Sequence, residues 1–558
     1  MNGADYITER LVQHGVTTVF GYPGSAMLKI MDTMVTSGKI KYIQNFHEQA
    51  CSFAADGYAR ANQKLGVLLV TSGPGGINAL AGIADAYYDS VPMLVITGQD
   101  YTNNVLRKNG SRQNGFQDLD IVSIAKTITK YSVLVESVQE LPEKLEEAIQ
   151  MAESGRKGPV LIDVPIDVQF AELTSPAVCK SQHKDESPVI SEQDVSVCAD
   201  RIKMSKRPLI LAGGGICGAP ELLDKFSRHL NIPVVCTLNG LGSGVEAYGF
   251  SGLHGHTYAN LAVYNADCLI VLGARLGQKQ VGKKPEAYTK AKVIHVDIDA
   301  AELQREIKDE LPIQGDWKAF IKKMGAALAD WKSAAAFAEW NNTLAEWKKK
   351  LETRDEVNQN GDGIDPVKLV REFSERIPKD AVVTADVGQN QMWVAQGMKS
   401  ERGIRLLNSS GYGSMGFSLP AAIGASCRGG EVPTYAFMGD GGLQMNIQEF
   451  EYLKLKNPNV KCIVLNNNTL GMMREVQKRY YNNHFYGSNL EDYQSANLQK
   501  LADAYQLPYV RIDTYEELDA FWAVLEKKGA YLIDIRIDFD SQLMNLYDEN
   551  EVFQENCL

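Results

Sequence analysis

The chain has 558 residues, of which 44% are hydrophobic and 23% are charged. This composition is close to the globular average, so it excludes collagen-like, disordered and disulfide-scaffold classes, and the length corresponds to about three to five domains. The formal net charge of -12 at pH 7 disfavours a broad phosphate-binding surface, and nucleic acid is therefore not an expected partner.

Cysteine usage and the start of the chain indicate a cytoplasmic protein. The nine cysteines never form a C-x-x-C pair, which predicts reduced thiols rather than a disulfide framework or a zinc site. The first ten residues are polar and acidic, unlike a signal peptide. No apolar run approaches the ~18 residues of a membrane span, so we expect no membrane partner.

Short β-branched apolar runs alternate with helical stretches along almost the whole chain. This alternation is typical of βαβ units with buried parallel strands. We therefore predict an α/β fold of three parallel-sheet domains, at residues 1–168, 192–330 and 365–543, and an acidic tail at 544–558. A polar linker at 172–191 and a charged helical segment at 331–353 separate the domains.

In chain order, a helix is predicted at residues 5–14 and strands follow at intervals. They are expected at 18–20, 42–45, 67–71, 94–97, 160–164, 209–212, 268–273, 293–297, 381–385, 434–437, 461–465 and 531–537. Turns rich in glycine or asparagine follow several of these strands. Because open parallel sheets bind ligands at the carboxyl ends of their strands, we expect functional residues there.

Two such turns, in the third domain, predict a metal site. Asp440 lies in a Gly-Asp-Gly-Gly turn after one strand, and Asn467 lies in a three-asparagine run after the next. A carboxylate, an amide oxygen and a backbone carbonyl are hard ligands that suit Mg²⁺ or Ca²⁺, with diphosphate oxygens completing the shell. Each turn alone is as readily explained by local structure, but the pair on consecutive strands favours a function.

These turns resemble the cofactor motif of thiamine diphosphate (ThDP) enzymes, and the resemblance extends over residues 1–540. The closest pattern is that of the acetolactate synthase group, on segments such as VFGYPGSA (19–26), HEQACSFAADGYAR (47–60), GYGSMGFSLPAAIG (411–424) and LNNNTLGMM (465–473). The resemblance implies domains that bind, in order, the cofactor's pyrimidine, FAD or a nucleotide, and the diphosphate. It also implies a homo-oligomer with active sites at the dimer interface.

By this resemblance Asp440, Asn467 and the carbonyl of Thr469 would bind Mg²⁺. Glu48, which alone is no more than a helix-start residue favoured by the dipole, matches the family's glutamate that promotes loss of the cofactor's thiazolium proton. Met415 matches a wedge between the cofactor rings. The full implied cofactor set is Tyr22, Pro23, Gly24, Glu48, Pro74, Asn78, Gln389, Asn390, Gly413, Met415, Gly439, Asp440, Gly441, Gly442, Asn467, Thr469, Leu470, Gly471 and Met472.

The middle domain has a glycine-rich turn at 213–215 without the G-x-G-x-x-G spacing, which is a weak phosphate-loop signal. The resemblance implies an FAD site, at Arg156, Gly213, Gly214, Gly215, Thr237, Leu238, Gly252, His254, Gly255, Arg275, Asp297, Ile298 and Asp316. The stretch 273–282 departs from the family pattern of acidic residues and arginine. In the family's carboligases FAD has a structural role, whereas in the related oxidases it carries electrons.

The loop at 101–118 is predicted to border the substrate. Its basic residues Arg107, Lys108 and Arg112 alone indicate only a solvated loop. The resemblance implies a substrate pocket of Ser25, Ala26, Phe116, Gln117 and Val476, and it makes Gln117 and Lys130 candidate catalytic residues that position substrate. Val476 stands where relatives in branched-chain amino acid synthesis have a large aromatic that selects 2-ketobutyrate, so the acceptor is left open.

The expected activity is a ThDP- and Mg²⁺-dependent carboligation, in which a 2-oxo acid, pyruvate, loses CO₂ and its acyl unit joins a second carbonyl. Three enzymatic alternatives are a 2-oxo acid decarboxylase, an FAD-dependent oxidase, and acetyl transfer to a keto-sugar nucleotide. An alternative of another class is a catalytically silent ThDP-binding regulatory or assembly paralogue.

Overall fold

A computed structural model describes residues 1–107, 110–174, 188–331, 336–353, 356, 363–428 and 432–543. Lys108, most of the predicted first linker and the predicted tail at 544–558 lie outside the described residues. None of the described helices is both long enough and apolar enough to cross a membrane.

The first domain is built on a six-stranded parallel sheet in the order β2-β1-β3-β4-β6-β5. Its strands are β1 (Thr18–Gly21), β2 (Lys41–Gln44), β3 (Gly66–Val70), β4 (Met93–Gln99), β5 (Tyr131–Leu134) and β6 (Pro159–Pro165). Its α-helices are Gly3–Gln13, Leu28–Thr36, Glu48–Asn62, Pro74–Tyr88, Thr102–Val105, Ile121–Ala125, Leu141–Glu153 and Ile166–Phe170. Neighbouring residues of β3, such as Leu68 and Leu69, enter different hydrophobic clusters, so both faces of the sheet are covered.

The second domain has a five-stranded parallel sheet in the order β11-β10-β9-β7-β8. Its strands are β7 (Pro208–Ala212), β8 (Val234–Cys236), β9 (Cys268–Leu272), β10 (Lys292–Asp297) and β11 (Leu311–Gln314). Its α-helices are Glu192–Met204, Pro220–Leu230, Thr257–Asn265, Gln278–Val281 and Trp317–Ala327. The following helix, Ala338–Leu351, lies in the predicted charged segment and packs Trp340 and Leu344 back onto this domain.

The third domain repeats the six-stranded arrangement, in the order β13-β12-β14-β15-β17-β16. Its strands are β12 (Val382–Ala385), β13 (Arg405–Asn408), β14 (Thr434–Gly439), β15 (Val460–Asn466), β16 (Tyr509–Ile512) and β17 (Tyr531–Arg536). Its α-helices are Pro366–Arg376, Gln389–Gly397, Ser418–Ser426, Asp440–Met445, Phe450–Lys456, Gly471–Tyr480, Leu498–Ala504 and Leu518–Leu525.

The predicted fold class is confirmed: each domain has a parallel sheet flanked by helices, and each predicted strand is present. The structure adds five strands that the sequence patterns did not predict, namely β5, β8, β11, β13 and β16. Each of the five lies at the edge of its sheet. The domain limits remain predictions.

Two helices join the first and third domains at close range. A Cβ atom on Gly57, in helix Glu48–Asn62, would overlap the carbonyl of Ala421, and one on Gly424 would overlap the carbonyl of Ala54. Glycine at these positions therefore lets the two helix backbones touch. The contact fixes the helix that begins with Glu48 against the domain that carries Asp440.

Candidate active site

Glu48 and Asn78 meet at the carboxyl edge of the first sheet. Glu48 begins its helix directly after the strand end, where the His47 side chain caps the helix by accepting from the Gln49 N–H. The Glu48 carboxylate is buried, and the Asn78 Nδ2 donates to its Oε2 at 3.0 Å. The two residues come from helices that follow different strands, so the fold unites two of the predicted cofactor residues.

The surroundings of Glu48 include further predicted residues. A Cβ on Gly75 would lie 3.4 Å from the Glu48 Oε1, and one on Gly73 would lie 3.0 Å from the Cβ of Gln117. Gln117 adopts a positive φ of 60° in this position. The N–H of Ala26 donates to Thr71 at 3.3 Å in the same region. Gln117 and Ala26 therefore border the Glu48 group, and their predicted substrate role stays a prediction.

Lys130 does not join this group. It precedes β5, at the amino edge of the sheet, and its ammonium donates to the carbonyl of Met151 and to that of Ser154 at 2.7 Å. These carbonyls end helix Leu141–Glu153, where a cation is favourable. These contacts give Lys130 a structural role in holding the end of this helix, and its predicted substrate role stays a prediction.

Asp440 lies at the carboxyl edge of the third sheet, directly after β14. Its side chain is 2% exposed, and its Oδ1 accepts from the Gly441 N–H at 3.1 Å. The Oδ2 is buried and makes no hydrogen bond of standard geometry among the described residues, and the Tyr493 hydroxyl lies beside the same carboxylate. Burial raises the pKa of Asp440 to about 7, because the charged form lacks solvation. A divalent cation would supply the missing partner.

Asn467 lies beside this carboxylate and is oriented by Gln389. The register of β14 and β15 pairs Gly439 with Leu465, so Asp440 and Asn467 leave the sheet at the same edge. The Asn467 Nδ2 donates to the Gln389 Oε1 at 3.1 Å. A Cβ on Gly471 would overlap that same oxygen. Gln389, Asn467 and Gly471, three residues of the predicted cofactor set, thus converge.

Few charged side chains are available to bind a metal beside Asp440. Among the described residues, no three His, Cys, Asp or Glu side chains are arranged to hold a metal ion. A cation at Asp440 would therefore take the Asn467 amide oxygen, a backbone carbonyl and the oxygens of a bound anion, a set that suits Mg²⁺. The buried Oδ2 and this donor set fit Mg²⁺ with a diphosphate.

Met415 lies next to the glycine turn, as expected of a residue that underlies a cofactor. Its Cε is 3.5 Å from the place that a Cβ on Gly441 would occupy. The loop that carries Met415 is held by Asp386, a buried residue that sequence reasoning did not single out, which accepts from the N–H groups of Gly416 at 2.9 Å and Ser418 at 3.2 Å. The sequence signal that could have identified Asp386 is its position directly after β12.

The side-chain donor of Asn390 is already bonded to neighbouring carbonyls. Its Nδ2 donates to the carbonyls of Asp386 at 3.1 Å and Phe437 at 3.3 Å, and its Oδ1 has no partner among the described residues. An amide oxygen is an acceptor, so this side chain offers an acceptor to any bound group. The predicted cofactor contact of Asn390 stays a prediction.

Glu449 links the third domain to the segment that leads to Glu48 in the same chain, and sequence reasoning also missed it. Its Oε2 accepts from the Asn45 Nδ2 at 2.7 Å and its Oε1 from the Phe46 N–H at 2.8 Å. Burial raises the pKa of Glu449 to about 7, although both hydrogen bonds favour its charged form. The third domain therefore holds the backbone two residues before Glu48. Only the tertiary fold reveals this contact across 403 positions.

In the second domain, the glycine turn after β7 meets the turn after β9. Cβ atoms on Gly213 and Gly215 would collide with Gly273, so these glycines are required for backbone packing. The Thr237 N–H donates to the Ala212 carbonyl at 3.0 Å, which brings a third predicted segment to this edge. Three of the predicted FAD segments therefore converge.

The polar residues predicted for FAD fit it only in part. The Nη1 of Arg156 donates to Asp299 at 2.9 Å and Glu302 at 2.7 Å, and the Asp316 carboxylate caps helix Trp317–Ala327. These groups already have partners. The Nδ1 of His254 is buried without a partner among the described residues, and burial lowers the pKa of His254 to about 4. His254 is thus the neutral group best placed to receive a ligand.

Three family models match the chain. They describe the N-terminal TPP-binding domain of thiamine pyrophosphate enzymes at residues 1–124, the central domain at 195–324 and the C-terminal TPP-binding domain at 386–535. The chain therefore belongs to the thiamine pyrophosphate enzyme family, and it is a ThDP-dependent enzyme.

Within this family the chain is similar to acetolactate synthases along nearly its whole length. The acetolactate synthase large subunit of Lactococcus lactis subsp. lactis is 36% identical over 545 residues, which are 96% of this chain and 92% of that protein. The isozyme 2 large subunit of Escherichia coli is 35% identical over 546 residues, 96% of each chain. The chloroplastic enzyme of Arabidopsis thaliana is 34% identical over 573 residues, 99% of this chain and 84% of that protein. The predicted resemblance is confirmed.

Proposed function

We propose that the chain is a ThDP- and Mg²⁺-dependent enzyme that decarboxylates a 2-oxo acid, pyruvate, and joins the acyl unit to a second carbonyl compound. The observation that carries the proposal is the buried Asp440 beside Asn467, with an Oδ2 that makes no hydrogen bond of standard geometry among the described residues. The acetolactate synthase names of the relatives support the carboligase reaction.

ThDP, when bound, would supply a thiazolium carbon that becomes nucleophilic on losing its proton, in a ring that takes up the electron pair left behind when CO₂ departs. Asp440, Asn467 and the Thr469 carbonyl would hold Mg²⁺ against the diphosphate. Met415 would support the cofactor rings. Glu48, whose Oε2 is fixed by Asn78, would hold or release a proton at its Oε1, on the side that Gly75 leaves open. Burial of this carboxyl group excludes water from the transfer.

The acceptor side is assigned to Gln117, Phe116, Met472 and Val476. Gln117 borders the Glu48 group, and Val476 is half-buried on helix Gly471–Tyr480. Valine is much smaller than an aromatic ring, so this wall leaves room for an acceptor larger than 2-ketobutyrate. The acceptor's identity is best tested with a panel of aldehydes, ketones and 2-oxo acids alongside pyruvate.

We further infer that one subunit's Glu48 group completes another's Asp440 group in a homo-oligomer. Large apolar side chains are exposed near both groups, among them Phe116, which is 78% exposed, and Tyr412, which is 52% exposed. Such exposure favours burial against a second copy. Mixing inactive Glu48→Gln and Asp440→Asn subunits tests this inference. Recovered activity supports shared sites, and continued inactivity contradicts them.

FAD is proposed as a structural cofactor only, on the convergence of the glycine segments and on the His254 Nδ1, which has no partner among the described residues. Flavin absorbance in the purified protein tests it directly. Colourless protein that stays colourless after incubation with FAD contradicts it. A cytoplasmic location remains a prediction.

The test of the proposed function combines two measurements. Protein with ThDP, Mg²⁺ and pyruvate is followed for CO₂, acetolactate and peroxide, while Glu48→Gln is followed for exchange of the cofactor proton. We expect CO₂ with a coupled product, no peroxide, and much slower exchange in the folded variant. CO₂ without ligation identifies a decarboxylase, peroxide identifies an oxidase, and no turnover identifies a silent paralogue. Normal exchange in the variant contradicts the role of Glu48.

A further inference from the structure

A second carboxyl group lies beside the metal residues and has no role in the mechanism above. Glu475 occupies helix Gly471–Tyr480 and is 8% exposed. Its Oε1 accepts from the Nε2 of Gln389 and from the Leu543 N–H at 2.6 Å. Two donors from distant parts of the chain therefore converge on one oxygen.

This arrangement determines which way the Gln389 amide faces. Its Nε2 donates to Glu475 and to the Ser541 carbonyl at 3.0 Å, so its Oε1 is turned toward Asn467. A flipped amide would set its oxygen against two acceptors, and burial makes that arrangement costly. The Oε1 then accepts from the Asn467 Nδ2 at 3.1 Å. The other end of this side-chain amide, the Asn467 Oδ1, is then turned away from Gln389 and can meet another ligand.

The hydrogen bonds from Glu475 through Gln389 to Asn467 form a relay. The helix Gly471–Tyr480 contributes two residues to this relay on one face. Gly471 and Glu475 are four positions apart, one helical turn. Gly471 leaves the space that the Gln389 Oε1 occupies, and Glu475 supplies the acceptor for the other end of the same amide. The indole of Trp393 donates to the Gln542 carbonyl at 3.3 Å, which helps hold residues 541–543 over the relay.

We propose that Glu475 is a positioning residue that orients the Gln389 amide and thereby presents the side-chain Oδ1 of Asn467 to Mg²⁺. The inference rests on the proposed function, since it assigns the relay to that metal site. Partners behind metal ligands commonly affect metal affinity by about 10–100-fold when they are removed.

The experiment is a Mg²⁺ titration in the presence of ThDP, read from tryptophan fluorescence, because Trp393 shares a helix with Gln389. Glu475→Met keeps the length of the side chain and removes the acceptor, whereas Glu475→Gln keeps an acceptor oxygen. We expect Glu475→Met to weaken Mg²⁺ binding about tenfold or more, and Glu475→Gln to restore most of it. At saturating Mg²⁺ the kcat of Glu475→Met should fall much less than its Mg²⁺ affinity.

Glu310→Gln is the matched control. Glu310 is a buried carboxyl in the second domain, 4% exposed, with His295 as its partner at 2.9 Å. The Glu310→Gln substitution should lower the thermal stability of the protein without changing its affinity for Mg²⁺. If Glu475→Met does not fold, Glu475→Ala takes its place in the same titration.

A double variant separates positioning from simple packing. Because Glu475 acts through Gln389, Glu475→Met combined with Gln389→Met should bind Mg²⁺ no more weakly than Gln389→Met alone. Wild-type Mg²⁺ affinity in folded Glu475→Met, or fully additive losses in the double variant, overturns the inference. Failure of the wild-type protein to bind Mg²⁺ and ThDP at all contradicts the proposed function itself.

Discussion

Removing the Glu449 carboxylate is expected to loosen the third domain from the strand end that leads to Glu48. In Glu449→Ala, the Asn45 Nδ2 and the Phe46 N–H lose the acceptors that lie at 2.7 and 2.8 Å. Glu449 is 0% exposed, so water does not readily replace them. A buried donor left without its acceptor costs about 1–3 kcal/mol. The two donors together predict a loss of about 2–6 kcal/mol in the free energy of unfolding.

Glu449→Gln serves as the internal comparison. Its amide oxygen can still accept from the Phe46 N–H, while its NH₂ group faces Asn45. The Asn45 Oδ1 has no partner among the described residues, so the Asn45 amide can turn to accept from that NH₂. We therefore expect a loss of at most about 1.5 kcal/mol.

Urea denaturation of the two variants and of Asn45→Ala measures these differences. The double variant Asn45→Ala with Glu449→Ala closes the cycle, and a coupling free energy of about 1.5–3 kcal/mol is expected for the pair. Because Phe46 lies two residues before Glu48, cofactor proton exchange should also slow in Glu449→Ala. A Glu449→Ala protein within about 0.5 kcal/mol of wild type, an ordinary surface-substitution effect, would refute the reasoning.

Two further predictions concern buried positions. Gly471→Ala should reduce the affinity for Mg²⁺ with ThDP, measured by calorimetry, because its Cβ overlaps the Gln389 Oε1; unchanged affinity would show that the amide can move aside. Asp163, bonded to Thr97 and Gln99, has a pKa raised by burial from 3.8 to about 7. Its folded state binds the proton more tightly, so its contribution to stability is present below about pH 4 and is lost as the pH rises through 7, by up to about 4 kcal/mol. Thermal unfolding across this range should show that decline in wild type and a shallower one in Asp163→Asn, and equal slopes would contradict it.

The central strands of the three sheets could be read from the sequence because both of their faces are buried. Central strands such as β7 and β9 are buried at every residue and form continuous apolar runs. The five unpredicted strands all lie at sheet edges, where hydrogen bonding to a single neighbour suffices. β5 and β16 are only partly buried, and β8 has three residues. Their short or mixed patterns differ little from those of loops.

The proposed metal residues could be placed together from the sequence for a similar reason. Asp440 and Asn467 each follow a recognisable central strand, and parallel strands bring their carboxyl ends to one edge of the sheet. Local sequence therefore sufficed to place them together. The pairing of Glu48 with Asn78 likewise follows from helices that begin at one edge.

Tertiary structure alone assigned the partners of these residues. Glu449, Asp386 and Glu475 carry no motif, and each acts on a backbone or an amide whose position depends on packing between distant segments. Lys130 and Asn390 were predicted as site residues from the resemblance, yet their donors are used by neighbouring carbonyls. A sequence motif specifies which groups a side chain offers, whereas the folded chain decides which of those groups remain available. Donors and acceptors are consumed by whatever packs beside them, and that neighbour is set by the whole fold.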